Sequence, residues 1–391
     1  MTNKLIIDNV AFSIQKTGGI SVVWYEIIKR LLQDSRYDLS FIEFESAGQN
    51  MFRQLLPIPA SIISVRPEYL YKVERYLNPK PGIKQPYIFH STYYRTSRDS
   101  QAINVTTVHD FNYERSGDKD LRTRVHIWQQ KQAVMESDIV ICISENTKRE
   151  LLHFYKGVDE SKIHVIYNGV SDEYKKIDGL RQNQLPFAPK TYCMFVGARP
   201  AYKNFKLAVE AIAATRFKLV IVGKPLSEEE KELVCERMDM RRVVVCTGVS
   251  NERLNTLYNG AFALLYPSSY EGFGIPCLEA QRGGCPVIAF NGSSIPEVVN
   301  DKDSLLKDLS VKAVLEKIER LEDANLYKRV SEDGQIFAQR FSWDNTYSQL
   351  TTLYDKALAA TTGGGKFKLR VKRLEFRVIA GCTLIERRVA A

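Results

Sequence analysis

The chain has 391 residues, 44% hydrophobic and 26% charged, too long for one ordinary core and suited to two α/β units of roughly 150–200 residues each. These proportions exclude a mostly disordered chain, a collagen-like fibre and a small cysteine-stapled fold. The net charge of +9 belongs to the tail: residues 361–391 hold eight basic and two acidic side chains, which leaves residues 1–360 at +3 with no nucleic-acid signal.

In chain order, the apolar run at residues 5–12 predicts a strand that ends in the turn "SIQKTGG". Apolar positions at 20, 23, 24, 27, 28, 31 and 32 then repeat every 3.6 residues, a helix with one buried face. The glycine loop before it, with Gly19, lets the backbone approach a phosphate or sugar, although it lacks the GxGxxG spacing of a dinucleotide fold. Residues 45–85 contain five prolines and no long period, so loops are expected there. Strands are predicted at residues 87–90, 103–109, 138–143 and 163–167, with a helix of about twenty residues between the middle two. Ser144 reads as the N-cap of "ENTKRELLHFY". A polar stretch at residues 171–190 reads as a linker.

The second half restarts the rhythm with "TYCMFVG", "FKLVIVG", "RVVVCTG", "AFALLYPS" and "CPVIAFN", each run separated from the next by a helical segment. Continuous apolar strands followed by helices predict parallel sheets covered on both faces. Two such doubly wound domains turn their carboxyl-end loops toward a cleft, where a ligand binds. The seven cysteines are widely spaced and odd in number, which predicts free thiols and a reducing, cytoplasmic compartment. No signal-peptide run or spanning-length apolar stretch is present, so a soluble chain is expected. After "TTGGG", the tail "KFKLRVKRLEFRVIAG" alternates basic and apolar residues. It is a candidate interfacial strand for an anionic membrane leaflet, a solvated extension, or a cloning remnant.

The richest segment is "YEGFGIPCLEA" (270–280), which follows an apolar strand and runs into a helix. Gly272 and Gly274 admit a ligand close to the backbone, and the helix start offers N–H groups to an anion. Glu271 and Glu279 are suited to accept hydrogen bonds from sugar hydroxyls. In "VGARPAYKNF", Arg199 and Lys203 lie four apart in a loop entering a helix, positioned to converge on a diphosphate. His109 and Asp110 end a strand of the first half, where His109 can bond a sugar hydroxyl. His90 and Arg95 are candidates for the acceptor side, whereas His126 and His153 read as packing or surface residues. The two "DKD" triplets (118–120 and 301–303) read as turns rather than metal sites. Neither a zinc-ligand cluster, GxSxG nor a P-loop occurs.

Taken together, "VGARPAYKNF", "CTGVSNERLNTLY", "LLYPSSYEGFGIPCLEAQRGGCPVIAFNGSSIPEVV" and "RFSWDNT", with "TVHDF", "ICISENTKRELL" and "VIYNGV", resemble the retaining glycosyltransferases of family 4. The resemblance spans about residues 5–360 and implies the GT-B fold: two Rossmann-like domains facing a cleft. It implies an acceptor-side domain at 1–180, a nucleotide-sugar domain at 190–341, a helix at 342–360 crossing back to the first domain, and the basic tail at 361–391 as an addition. Residue by residue, it implies Glu279 on the donor ribose and Glu271 on the transferred sugar. Phe273, Gly274 and Ile275 would lie at the sugar and diphosphate, Arg199 and Lys203 on the leaving diphosphate, and His109 near the reacting centre. Gly19 would approach the diphosphate from the other domain, and Val249 and Leu254 would flank the base.

The resemblance further implies a nucleotide-diphosphate sugar as donor, first a GDP-mannose-like hexosyl donor, with no tightly bound cofactor and no metal. The acceptor would be a growing bacterial surface glycan such as O-antigen, carried on a polyprenyl diphosphate. The site of action would be the cytoplasmic face of the inner membrane, with the tail as a candidate for peripheral lipid contact. Many members place Arg directly before the loop lysine, whereas this chain has Tyr202. The competing readings are a nucleotide-sugar epimerase of the same fold and a noncatalytic sugar-nucleotide-binding protein. Both glutamates and the Arg/Lys pair speak against the latter.

Overall fold

The apolar runs pair into two all-parallel sheets in the computed structural model, which describes residues 3–117 and 120–362. The strands of the first sheet are β1 (Asn3–Asp8), β2 (Tyr37–Phe44), β3 (Ile63–Arg66), β4 (Tyr87–Ser91), β5 (Ala102–Val108), β6 (Ile139–Cys142) and β7 (Ile163–Val165). The second sheet contains β8 (Tyr192–Val196), β9 (Lys218–Val222), β10 (Val243–Cys246), β11 (Ala263–Tyr266), β12 (Val287–Phe290) and β13 (Leu305–Leu306). Among the described residues the orders are β3-β2-β1-β4-β5-β6-β7 and β10-β9-β8-β11-β12-β13. Each order reverses once, between β1 and β4 and between β8 and β11, and a crevice opens at the carboxyl end of such a reversal. The central strands are buried along their length, Tyr87–Ser91 and Tyr192–Val196 among them, because helices cover both faces. The expected doubly wound class is the one observed.

The run at residues 5–12 does not stay in the sheet. β1 stops at Asp8, and Val10–Ile14 forms a short helix. The fully buried Asp8 carboxylate accepts from Ser91 Oγ and Arg95 Nε, each at 2.8 Å, while its carbonyl accepts from the Thr92 N–H at 2.9 Å. Those bonds turn the chain out of the ladder. Residues 45–85 are also more regular than expected. They supply edge strand β3 and the helices Met51–Gln54 and Glu68–Glu74. β3 has four residues between two prolines, too short to show a period.

The polar stretch at 171–190 is strapped to the second half rather than hanging between the halves. Asn255 and Asn259, on the helix Asn251–Gly260, accept the backbone N–H groups of Lys175 and Ile177 at 3.1 and 2.7 Å. Tyr174 is buried and Phe187 packs on the second core.

The chain crosses back at Gly169, where a Cβ would lie 2.2 Å from the Trp343 nitrogen, and Val170 donates its N–H to the Phe341 carbonyl. The helix Trp343–Thr362 then packs Leu350, Tyr354 and Leu358 into the first core. Its Asp355 bonds Tyr37 Oη at 2.7 Å and Arg36 at 2.8 Å. No helix among the described residues is long and apolar enough to cross a membrane. The basic tail from residue 363 and Asp118 lie outside the described residues.

Candidate active site

The loop after β8 turns through Gly197, at φ +113°, into a single 3-10 turn at Ala201–Lys203. It is pinned where Asn204 Nδ2 donates to the Pro267 carbonyl at 2.9 Å. This brings the Lys203 ammonium to the Tyr266 hydroxyl at 3.0 Å and into an ion pair with Glu271, both side chains 13% exposed. The same ammonium lies 4.9 Å above the Tyr266 ring. Glu271 is fixed through its backbone. Its N–H donates to Ser293 Oγ at 2.9 Å, and Ser294 Oγ lies 2.9 Å from the carbonyl oxygens of both Glu271 and Phe273. Ser293 holds φ +48°, a costly conformation for a residue with a Cβ, and its side chain meets the Glu271 backbone there.

Gly272 is expected to admit a ligand; the structure instead brings it against protein backbone. A Cβ there would lie 2.1 Å from the His109 carbonyl oxygen of the first half. Gly274, at φ +109°, starts the helix Ile275–Arg282, and a Cβ on it would meet Ile295 at 2.9 Å. Phe273 is buried, with its ring 5.9 Å from that of Tyr167. On that helix, burial pushes the Glu279 carboxyl up to about 7, against the opposing pull of hydrogen bonds from Tyr258 and Tyr174. The Tyr258 hydroxyl donates to Glu279 at 3.2 Å.

Across the contact, His109 is buried and its Nε2 has no hydrogen-bond partner. Burial lowers its pKa to about 4, so the ring is neutral near pH 7. Asp110 is raised above the usual carboxylate value, chiefly by burial, with Glu271 and Glu150 adding like charge and the Asn112 N–H opposing. Gly19 is exposed, with no atom within 4 Å of a Cβ placed on it. Val249 and Leu254 pack, half-buried, on the second core.

Two expectations fail at this level. Arg199 does not share a partner with Lys203. Its guanidinium bonds Glu230 at 2.8 Å and the carbonyls of Lys224 and Pro225 at 3.0 and 2.8 Å, leaving Nη1 buried without a partner. His90 and Arg95 belong to the interior rather than to an acceptor surface. His90 is fully buried between Tyr354 Oη at 2.6 Å and Thr107 Oγ1 at 2.9 Å, while Arg95 is the buried partner of Asp8. Of the DKD triplets, Asp120 caps the helix Leu121–Glu136 through the Thr123 N–H, and Asp301 pairs with Arg320 at 2.7 Å, while residues 118–119 lie outside the described residues. Among the described residues no three His, Cys, Asp or Glu side chains converge as a metal site.

The bonds that lock the two halves together carry no sequence signal of their own, although Ser144 reads as a helix cap and Gly272 as part of the glycine turn. Tyr270 Oη accepts the Phe111 N–H at 2.7 Å and donates to Glu150 at 2.6 Å. Ser144 Oγ donates to the Gly272 carbonyl at 2.9 Å. Glu297 accepts the N–H groups of Glu145 and Asn146, both at 2.8 Å, at the start of the helix Glu145–Phe154. Tyr270 and Glu297 stand inside "YEGFG" and "SSIPEVV", and Glu145, Asn146 and Glu150 inside "ENTKRELLHFY"; nothing local to either segment pairs the two across more than a hundred residues.

Comparison with known proteins places the chain among glycosyltransferases. The model described as Glycosyltransferase Family 4 matches residues 17–174, and that described as Glycosyl transferases group 1 matches residues 176–337. The O-antigen chain mannosyltransferase B of Escherichia coli is 26% identical over 287 residues, covering 68% of this chain and 74% of the relative. A D-inositol 3-phosphate glycosyltransferase of Acidothermus cellulolyticus is 30% identical over 255 residues, 59% and 57% of the two chains. The serotype-specific mannosyltransferase WbdA of Escherichia coli is 25% identical over 282 residues, 66% of this chain but 34% of that protein.

Among solved structures, sucrose-phosphate synthase from Thermosynechococcus elongatus superposes with a TM-score of 0.72 at 17% identity, covering 92% of this chain and all of the other. Anabaena HepE, solved with UDP and glucose, gives 0.68 at 15% identity over 91% of this chain and all of the other. The shared architecture is GT-B.

Proposed function

We propose that this chain, which belongs to the family 4 glycosyltransferases, moves a hexosyl group from a nucleotide-diphosphate sugar to a hydroxyl of a growing, lipid-linked surface glycan with retention of anomeric configuration. The observation that carries the reading is the Lys203–Glu271 pair at the carboxyl ends of β8 and β11, joined through Gly272 to His109 with its unpartnered Nε2. In this reading they supply a cation for a diphosphate, a carboxylate for sugar hydroxyls and a neutral imidazole.

In this reading, a donor diphosphate takes Glu271's place on Lys203 and lies toward the N-terminal end of the helix Ile275–Arg282, whose dipole favours an anion. Backbone N–H groups of Phe273, Gly274 and Ile275 line the same side, and Gly19 approaches from the first half. Glu271, released, accepts from the sugar's hydroxyls, and Glu279 accepts from the ribose, with Val249 and Leu254 beside the base. As the anomeric C–O bond breaks, negative charge grows on the departing phosphate and Lys203 stabilises it. The acceptor hydroxyl attacks from the face the nucleotide leaves and gives its proton to the departing phosphate oxygen, so no protein nucleophile is needed. His109 offers Nε2 to a sugar hydroxyl at that centre. Arg199, held by Glu230, positions the loop that carries Lys203.

The mannosyltransferase names among the relatives favour a mannosyl donor, and GDP-mannose is the first to try. The UDP complexes of HepE keep UDP-sugars in the screen. The test is nucleotide release from GDP-, UDP-, dTDP- and ADP-sugars with and without EDTA, followed by direct binding of each donor. EDTA-insensitive release from one donor is the expected result; failure to bind any donor overturns the reading.

A further inference from the structure

The segment that joins the two halves is held between the two helices that carry the nucleoside side of the proposed site. From the helix Ile275–Arg282, Arg282 donates to the Ser171 carbonyl at 3.3 Å and to Asp172 at 2.7 Å. From the helix Asn251–Gly260, Asn255 and Asn259 accept the N–H groups of Lys175 and Ile177, and Asn259 Nδ2 donates to the Lys175 carbonyl at 2.9 Å. Pinned from both sides, Tyr174 is 4% exposed, and its ring lies 6.2 Å from that of Tyr258. The Tyr174 hydroxyl donates to Asn251 Oδ1 at 3.1 Å and also reaches the Glu279 carboxyl, which the Tyr258 hydroxyl bonds as well. A buried tyrosine hydroxyl needs one partner. This one meets two acceptors, on different helices, with a single proton. Burial, and then the charge of Glu279, raise its pKa, so the phenol keeps that proton. Glu279 is half-buried, whereas both phenols that hold it are buried.

We infer that Tyr174 is a positioning residue for the donor nucleoside: its hydroxyl aims the Glu279 carboxylate at the ribose and, through Asn251, ties that carboxylate to the loop Val249–Leu254 beside the base. This role rests on the donor reading above, in which Glu279 faces the ribose. Without a donor, Glu279 and Asn251 compete for one proton. A ribose hydroxyl that donates to Glu279 satisfies the carboxylate and leaves the Tyr174 proton to Asn251, which steadies the loop as the base arrives. Ribose and base recognition are thereby linked through a residue of the connecting segment. For packing on the second core the ring alone suffices; the link needs the hydroxyl.

The experiment measures binding of GDP, UDP and the dideoxyribose forms of both to the full chain by calorimetry, beside thermal unfolding. The parent should prefer the ribose forms at least about tenfold, because a dideoxy sugar leaves the carboxylate without its hydroxyls. Tyr174→Phe keeps the ring and removes the hydroxyl. Its affinity for the ribose forms should fall about tenfold, and the ribose preference should shrink at least about fivefold. A packing role alone would lower the melting temperature and leave the preference as in the parent; that result overturns the proposal. Asn251→Ala, at an exposed position, keeps the test open where the first variant folds poorly. It should weaken the better-bound nucleotide at least about threefold and retain the ribose preference, since Tyr174 then serves Glu279 alone. Unchanged affinity in that variant overturns the tie to the loop. Failure of the parent to bind either nucleotide overturns the donor reading and this role with it, whereas binding with an unaltered ribose preference in Tyr174→Phe overturns this role alone.

Discussion

Gly272 and His109 meet backbone to backbone: the His109 carbonyl oxygen stands 2.1 Å from where a Cβ on Gly272 would be. A methyl group cannot share that space, and a carbonyl held in a strand-end loop cannot swing away as a flexible side chain would. The glycine therefore sets how closely the loop that carries Glu271 approaches the other half.

Gly272→Ala is expected to lower transfer at least about a hundredfold, the usual cost of displacing reacting groups by an ångström. The fold should survive, because each half keeps its own core. Steady-state rates measured beside thermal unfolding check this, with small-angle scattering to detect separation of the halves. Full activity would mean that the contact is not part of the working form.

Glu297→Ala removes the acceptor shared by the first N–H groups of the helix Glu145–Phe154. Losing such a charged cap costs about 1–2 kcal/mol. The expected outcome is a lower urea midpoint with an unchanged slope for the core of each half. An unaltered midpoint would show that the carboxylate contributes nothing to holding the halves together.

Burial raises the Glu279 carboxyl from 4.5 to about 7. The folded chain thus holds this proton over a range in which the unfolded chain releases it. Stability from the protonated carboxyl is complete below about 4.5 and is lost as the pH rises through about 7. The span corresponds to a loss on the order of 3 kcal/mol at most. Glu279→Gln should therefore match the parent near pH 5 and melt several degrees higher at pH 8, without donor present. His109 titrates with the opposite sign, since burial lowers it to about 4, but it is common to both proteins and cancels in the comparison. An equal difference in melting temperature at both pH values would remove the buried-carboxyl account. In the same variant, donor affinity should fall at least about tenfold as a ribose contact is lost.

Much of this arrangement is legible in the sequence. The run "TYCMFVG" became β8 because a strand buried on both faces is apolar at every position, and few other elements produce that pattern in so few residues. The strand–turn–helix around 270–280 is legible because Gly272 and Gly274 fall between the apolar run that forms β11 and the helix Ile275–Arg282. What escaped depends on distant partners. Arg199 reads as a cleft cation until Glu230 and the carbonyls near 224 take it, and nothing beside residue 199 announces them. His90 ends a strand as His109 follows one, but the C-terminal helix, 264 residues later at Tyr354, covers it. Gly272 reads as room for a ligand, but the room is taken by the other half of the chain. β3 has only four residues, none of them buried, too few for a period to stand out.

Lys203 and Glu271 form a sheltered ion pair, and removing one charge strands the other. Lys203→Met should therefore destabilise the second half by about 2–3 kcal/mol, whereas Lys203→Met/Glu271→Gln should recover most of that loss. Activity should behave differently. Both variants lack the cation proposed for the departing phosphate, so transfer should remain at least about a hundredfold down in each, the stabilisation of a developing charge being worth about that much. Denaturant melts and transfer rates on the two variants separate the structural from the chemical role. If restoring stability in the double variant also restores the rate, Lys203 serves only to hold the loop, and the leaving diphosphate must find its counter-charge elsewhere.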